Sequence, residues 1–80
     1  MPATTVNRLL PITLRQLQVF LAIAKTESIG LAAESLTMSK SAVSQALSEL
    51  ETRLGVQLFD RSKNKIVLNE VGLEAAQLAE

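Results

Sequence analysis

Residues 28–55 read SIGLAAESLTMSKSAVSQALSELETRLG, and the spacing of apolar residues within them decides the fold. Val43, Leu47, Leu50 and Leu54 step by four, three and four positions, which is the spacing of one buried helix face. Ser39 stands before this seam as an N-cap and Gly55 behind it as a C-terminal stop, so a helix is predicted between them. Upstream, Ser28 caps a shorter helix over residues 29–36, whose apolar stripe is Ala32, Ala33 and Leu36. Paired alanines let a neighbouring helix approach closely. Gly30 in the first turn lowers helix propensity by up to about 1 kcal/mol against alanine. Thr37-Met38-Ser39 leaves room only for a tight turn between the two helices.

Opposite the apolar seam lie Ser41, Ser44, Gln45 and Ser48, with Lys40 as the one charge near the helix start. Solvated helix faces usually carry Lys–Glu pairs, which support the helix. Small hydroxyls and an amide suit a different surrounding. The major groove of DNA is about 12 Å wide, admits one helix and displays donors and acceptors that Ser and Gln can meet. A plain alternative is a polar surface helix that happens to be rich in serine.

Working outward, Thr13 to Gln16 (TLRQ) has the T-x-x-Q form of a capping box and opens a first helix. Leu14, Leu17, Leu21 and Ala24 mark its apolar stripe, broadened by Phe20 and Ile23, and Thr26-Glu27-Ser28 ends it. Downstream, VQLFDR and KIVL are short β-rich runs around Ser62-Lys63-Asn64-Lys65, predicting a hairpin with a polar tip. Asn69 then caps a last helix with Glu70 in its first turn. A short helix, a tight turn, a longer helix and a basic hairpin form the order of a helix-turn-helix with a wing. The hairpin end carries Arg61, Lys63 and Lys65, suited to a phosphate backbone or a minor groove, although a loop tip is often charged simply because it is solvated.

Composition narrows the function classes. Of 80 residues 48% are hydrophobic and only 2% aromatic, so a single small core must be built from Leu, Ile, Val and Ala, which favours helices. With no cysteine and no histidine, disulfides, common zinc sites and His-based acid–base catalysis are excluded. Serines abound, but a hydrolase would want a G-x-S-x-G elbow, and none is present. No apolar run approaches the roughly 18–20 residues of a membrane span, and MPATTVNRLLP lacks the block of a secretory signal. A cytoplasmic location without membrane contact is the expectation. The formal charge is zero, yet it is uneven: residues 1–39 carry three basic and two acidic groups, residues 40–65 five and three, residues 66–80 none and three. The surplus of cations coincides with the longer helix and the hairpin.

Residues 28–72, SIGLAAESLTMSKSAVSQALSELETRLGVQLFDRSKNKIVLNEVG, together with LRQLQVFLAIAKTES at 14–28, resemble the N-terminal domain of LysR-type transcriptional regulators. The features that carry the resemblance are Ala32-Ala33, Leu36, Ser39, Ser44, Leu50-Glu51, Leu54-Gly55, Leu58-Phe59, Arg61 and Gly72, and it covers about residues 12 to 80. It implies a mainly α winged helix-turn-helix, three helices plus a β-hairpin wing over 12–68, followed by a linker helix from 69. Residues 1–11 would be a flexible leader. The resemblance further implies double-stranded DNA as partner, bound by a homodimer on an interrupted inverted repeat.

By position, Ser39, Lys40, Ser41, Ser44, Gln45 and Ser48 would face bases or nearby phosphates from the recognition helix. Ser28 would meet the backbone at a helix start, and Arg61, Ser62, Lys63, Asn64 and Lys65 would form the wing contact. Val71, Leu73, Ala75, Ala76, Leu78 and Ala79 would dimerise the linker helix, unless that helix folds back on its own domain. Departures from the family pattern include Lys40 in place of the frequent glutamine and Gln45 in place of arginine. Asn64 stands for arginine, Asn69 for threonine, and Gly30 for a better helix former. By edge chemistry Lys40 suits guanine and Gln45 adenine. No metal and no cofactor is expected in this domain; a small-molecule effector would belong to a second domain, absent here, so an excised DNA-binding piece is expected. The rival reading is a winged-helix module for protein–protein contact without specific DNA binding, which the neutral charge favours.

Overall fold

The computed structural model describes residues 12–79, without the side chain of Ala79; the leader expected at 1–11 lies outside the described residues. Among the described residues four helices and one hairpin follow in order: α1 (Leu14–Thr26), α2 (Ile29–Leu36), α3 (Lys40–Leu54), β1 (Phe59–Ser62), β2 (Lys65–Leu68) and α4 (Glu70–Ala79). The fold is the mainly helical winged helix-turn-helix that the sequence predicts.

Each helix starts where a short polar side chain can replace a missing backbone partner. Thr13 Oγ1 accepts from the Gln16 amide at 3.0 Å, and Gln16 Oε1 accepts from the Thr13 amide at 3.3 Å, completing the capping box. Gln16 is the one buried polar residue among the described residues, and its desolvation is offset by this bond. Ser28 Oγ accepts from the Leu31 amide and Ser39 Oγ from the Ala42 amide, both at 3.1 Å. Helices α1, α2 and α3 end on Glu27, Thr37 and Gly55, all in the left-handed region at φ 56°, 56° and 75°. Only the last is a glycine, so the two turns around α2 hold strained backbone.

The core joins Val19, Phe20 and Ile23 of α1, Ala32 and Ala33 of α2, Val43, Ala46, Leu47 and Leu50 of α3, and Leu58, Phe59 and Ile66 from the hairpin region. The alanine pair lies at the centre, 0% and 3% exposed, which lets three helices meet without large side chains between them. The two phenylalanines do the long-range work. Phe20 and Phe59 meet at 5.6 Å between ring centres with a 58° tilt, pinning the hairpin to α1.

Two details differ from the sequence-based expectation. The deepest face of α1 is Gln16, Val19, Phe20 and Ile23. Leu17, Leu21 and Ala24 are half-buried beside it, and Leu14 is 71% exposed. The leucine stripe therefore lies to one side of the true seam. Because α1 touches α2, α3, β2 and α4, its burial extends around more of the helix than one stripe. The first strand begins at Phe59, not at Val56. The Val56 amide is drawn back to the Glu51 carbonyl at 3.2 Å and the Leu58 amide to the Glu51 carboxylate, while the Asn69 carbonyl opposite Leu58 accepts from the Leu73 amide of α4. Backbone groups spent on helix caps are unavailable to a strand.

Glu51 anchors this crossing. Its carbonyl accepts from the Gly55 and Val56 amides, and its carboxylate accepts from the Leu58 amide at 2.7 Å. One residue thus holds the end of α3 and the start of the wing together. Replacing it, Glu51→Ala, strands the amide of a residue only 1% exposed and should cost about 2 kcal/mol in urea denaturation. An unchanged midpoint would mean that this bond contributes nothing.

Candidate nucleic-acid interface

The hairpin register is Phe59↔Leu68, Asp60↔Val67, Arg61↔Ile66 and Ser62↔Lys65. Paired and alternate residues share a face, so Phe59, Arg61, Ile66 and Leu68 point to the helices. Phe59 and Ile66 are buried, while Arg61, one pair further out, is exposed. Arg61 therefore leaves the core at its edge. It borders two grooves, one with Leu47 and Glu51 of α3 and one with Ser28, Ile29 and Gly30 at the start of α2. Lys63, Asn64 and Lys65 line the second groove as well.

The wing is fastened through Glu27 to the turn between α1 and α2. The Ile66 amide donates to the Glu27 carbonyl at 3.2 Å, and Lys65 Nζ lies 3.8 Å from Glu27 Oε1. The second contact is between exposed groups and contributes about 0–1 kcal/mol. Its value is orientation, since it draws Lys65 toward α2.

Helix α3 carries its polar residues on the side away from the core. At about 100° per residue, Ser41, Gln45, Ser48 and Thr52 form one outer ridge at four-three-four spacing, opposite Val43, Leu47, Leu50 and Leu54. All four ridge residues are exposed. Thr52 was missed in the sequence reading, although the same spacing that found the seam would have found it. Ser44 is half-buried and lies toward the wing, as does Lys40 by helical position.

The structure brings some predicted residues together and separates others. Lys40 reaches back to α2: a Cβ on Gly30 would stand 3.2 Å from Lys40 Cε and 3.7 Å from Ser28 Oγ. Lys40, Ser28 and the residues from Arg61 to Lys65 consequently share one side. Gln45 and Ser48 border a different groove, with Gln16, Glu49, Thr52 and Arg53. The Gln45 amide also donates to Glu49 Oε2 at 3.5 Å, so an acidic group lies nearer the ridge than the sequence suggests. Ser28 and Ser39 both use their hydroxyls as helix caps. Each remains beside a helix start, where neighbouring N–H groups favour an anion.

The last helix divides its apolar residues. Ala75 and Ala76 are half-buried against the chain's own core. Val71, Leu73 and Leu78 are 45%, 53% and 90% exposed, and Ala79's side chain lies outside the described residues. Among the described residues no helix is long and apolar enough to cross a membrane.

The family model for bacterial regulatory helix-turn-helix proteins of the lysR family matches residues 14–73, from the first turn of α1 into the first turn of α4. The chain belongs to the LysR family. Among its curated relatives in that family, an uncharacterized HTH-type transcriptional regulator of Escherichia coli K12, YeiE, is 54% identical over 61 residues, covering 76% of this chain and 21% of its own length. The chain thus spans about a fifth of the length of that LysR relative. Two solved complexes share its fold. A BenM_DBD/benA site 1 DNA complex has a TM-score of 0.80 at 30% identity, covering 84% of this chain and 78% of that one. A CbnR_DBD–DNA complex has a TM-score of 0.78 at 34% identity, covering 81% and 75%.

Proposed function

We propose that this LysR-family chain binds double-stranded DNA sequence-selectively and is the DNA-reading unit of a transcriptional regulator. The carrying observation is the arrangement of two surfaces around α3. Its uncharged ridge has the chemistry for a major groove, and the cations of the wing stand beside the start of α2, where Lys40 of α3 also reaches. The ridge would discriminate among bases, while Lys40, Ser28 and the wing would hold sugar and phosphate. The likeness to BenM_DBD and CbnR_DBD in DNA complexes supports this reading. The binding step needs neither catalysis nor a cofactor held by this chain, and the compartment in keeping with it is the cytoplasm. A small-molecule effector would act on a further domain of the regulator.

Dimerisation belongs to the same proposal. Val71 and Leu78, seven positions apart, share an exposed apolar face of α4, which a second copy would cover, while Leu73 is exposed on another side of the helix. Two copies related by a twofold axis would meet an interrupted inverted repeat.

Selection of bound sites from random-sequence duplexes, followed by electrophoretic shift assays, tests the proposal. Enrichment of a twofold-symmetric site is expected. No shift at low salt with long mixed-sequence DNA would favour the protein–protein alternative suggested by the neutral charge. Within this scheme Arg61 positions and does not read. Arg61→Ala should weaken all duplexes by a similar factor and flatten the salt dependence by about one unit per subunit. Selective loss for one base pair would instead make Arg61 a base contact.

A further inference from the structure

Two departures from the family pattern, Gly30 and Lys40, meet in space. A methyl carbon added at residue 30 would lie 3.2 Å from Lys40 Cε and 3.7 Å from Lys40 Nζ, closer to the former than side chains ordinarily pack. The end of the lysine side chain therefore lies against the first turn of α2, where a Cβ at residue 30 would push it aside by a few tenths of an ångström. Gly30 keeps ordinary helical φ, so backbone freedom is not why glycine serves there. Its smallness is. Gly30 also lines the groove that ends at Arg61, Lys63 and Lys65.

Resting on the DNA-binding reading above, we infer that Gly30 is a positioning residue for Lys40. The glycine seats the lysine stem across α2 and turns its ammonium away from the base-facing ridge, so that Lys40 contacts a backbone phosphate and contributes no base preference. A lysine at the first position of a recognition helix would otherwise be free to reach the O6 and N7 acceptors of guanine. Here its stem lies toward α2 and the wing, where the groups beside it are Ser28 and the helix start rather than Ser41 or Gln45.

The pair can be tested with four versions of the 80-residue chain: parent, Gly30→Ala, Lys40→Gln and both together. The probes are a duplex selected from random sequence and its single-base-pair variants, titrated by fluorescence anisotropy at several salt concentrations. Lys40→Gln should weaken every duplex by about five- to tenfold at 0.1 M salt, reduce the salt slope by about one per subunit, and preserve the ranking of variants. Gly30→Ala displaces the lysine stem. Alone it should cost about threefold and part of the same slope; in the Lys40→Gln background it should cost nothing further. Alanine is the better helix former and the contact it crowds is the end of a flexible side chain, so the variant folds, which circular dichroism verifies. A changed base ranking in Lys40→Gln would make the lysine a base reader and overturn the inference. So would an equal Gly30→Ala effect in both backgrounds. A parent chain that binds no duplex fails the DNA-binding reading itself, a result distinct from binding without coupling.

Discussion

Gly72→Ala should be the most damaging single-methyl change among the described residues, lowering stability by about 3 kcal/mol and the thermal midpoint by about 12–24 °C. The added carbon would collide with the Leu58 carbonyl oxygen and would stand 2.9 Å from Leu68 Cδ2 and 3.1 Å from Leu58 C. A carbonyl fixed by its own hydrogen bond cannot swing aside as a side-chain end can. The Leu58 oxygen accepts from the Asn69 amide at 3.0 Å, Asn69 Nδ2 donates to the Gln57 carbonyl at 2.9 Å, and Asn69 Oδ1 accepts from the Gly72 amide at 2.8 Å. Admitting the methyl means lifting the first turn of α4 and loosening this set. The gain in helix propensity, about 1 kcal/mol, is too small to compensate. Gly55→Ala separates steric from conformational cost. Nothing lies within 4 Å of the position a Cβ would take there, but φ is 75°, so the expected loss is only about 1 kcal/mol. Thermal or urea denaturation of both variants checks the order. Equal losses would mean that α4 is not seated on the Leu58 carbonyl.

DNA affinity should fall steeply with salt although the chain carries no net charge. Eight cations balance eight carboxylates overall, but counterions are released only where cations meet phosphate. Arg61, Lys63 and Lys65 line the groove beside α2, and Lys40 lies across its first turn, giving about three or four phosphate partners per subunit. A dimer should then show a slope of about −5 to −7 in log affinity against log salt, a loss of about 10³–10⁴-fold between 50 and 200 mM. Anisotropy titrations at five or six salt concentrations measure this directly. A flat dependence would remove phosphate from the proposed interface. Sedimentation on the same samples reports whether two copies bind, because a monomer would halve the slope.

Local signals in the sequence were legible because their causes are local. Thr13, Ser28, Ser39 and Asn69 each bond an amide within a few residues, and Gly55 ends α3 in the conformation it favours. The starts of the four helices and the end of α3 followed from these residues. What stayed hidden depends on residues far apart in the chain. Nothing near Glu51 announces that its carboxylate is needed by the Leu58 amide, and nothing near Glu27 announces Ile66 and Lys65. The deep face of α1 was displaced for the same reason: four other elements choose which of its apolar residues are buried, and they choose Val19 over Leu14. At the candidate interface the charges and the ridge could be read from spacing, but their division into two flanks could not. That division comes from the Lys40–Gly30 contact on one side and the Gln45–Glu49 contact on the other.

The two sides of α3 answer to separate demands. Val43, Ala46, Leu47 and Leu50 hold the core, whereas Ser41, Gln45, Ser48 and Thr52 stand outside it. Exchanging the outer four leaves the packing intact, since substitutions at such positions usually change stability by no more than about 0.5 kcal/mol. On the base-reading role proposed for this ridge, a lineage carrying this scaffold would be free to drift from one target site to another by surface replacements alone, with the folding equilibrium placing almost no brake on the path.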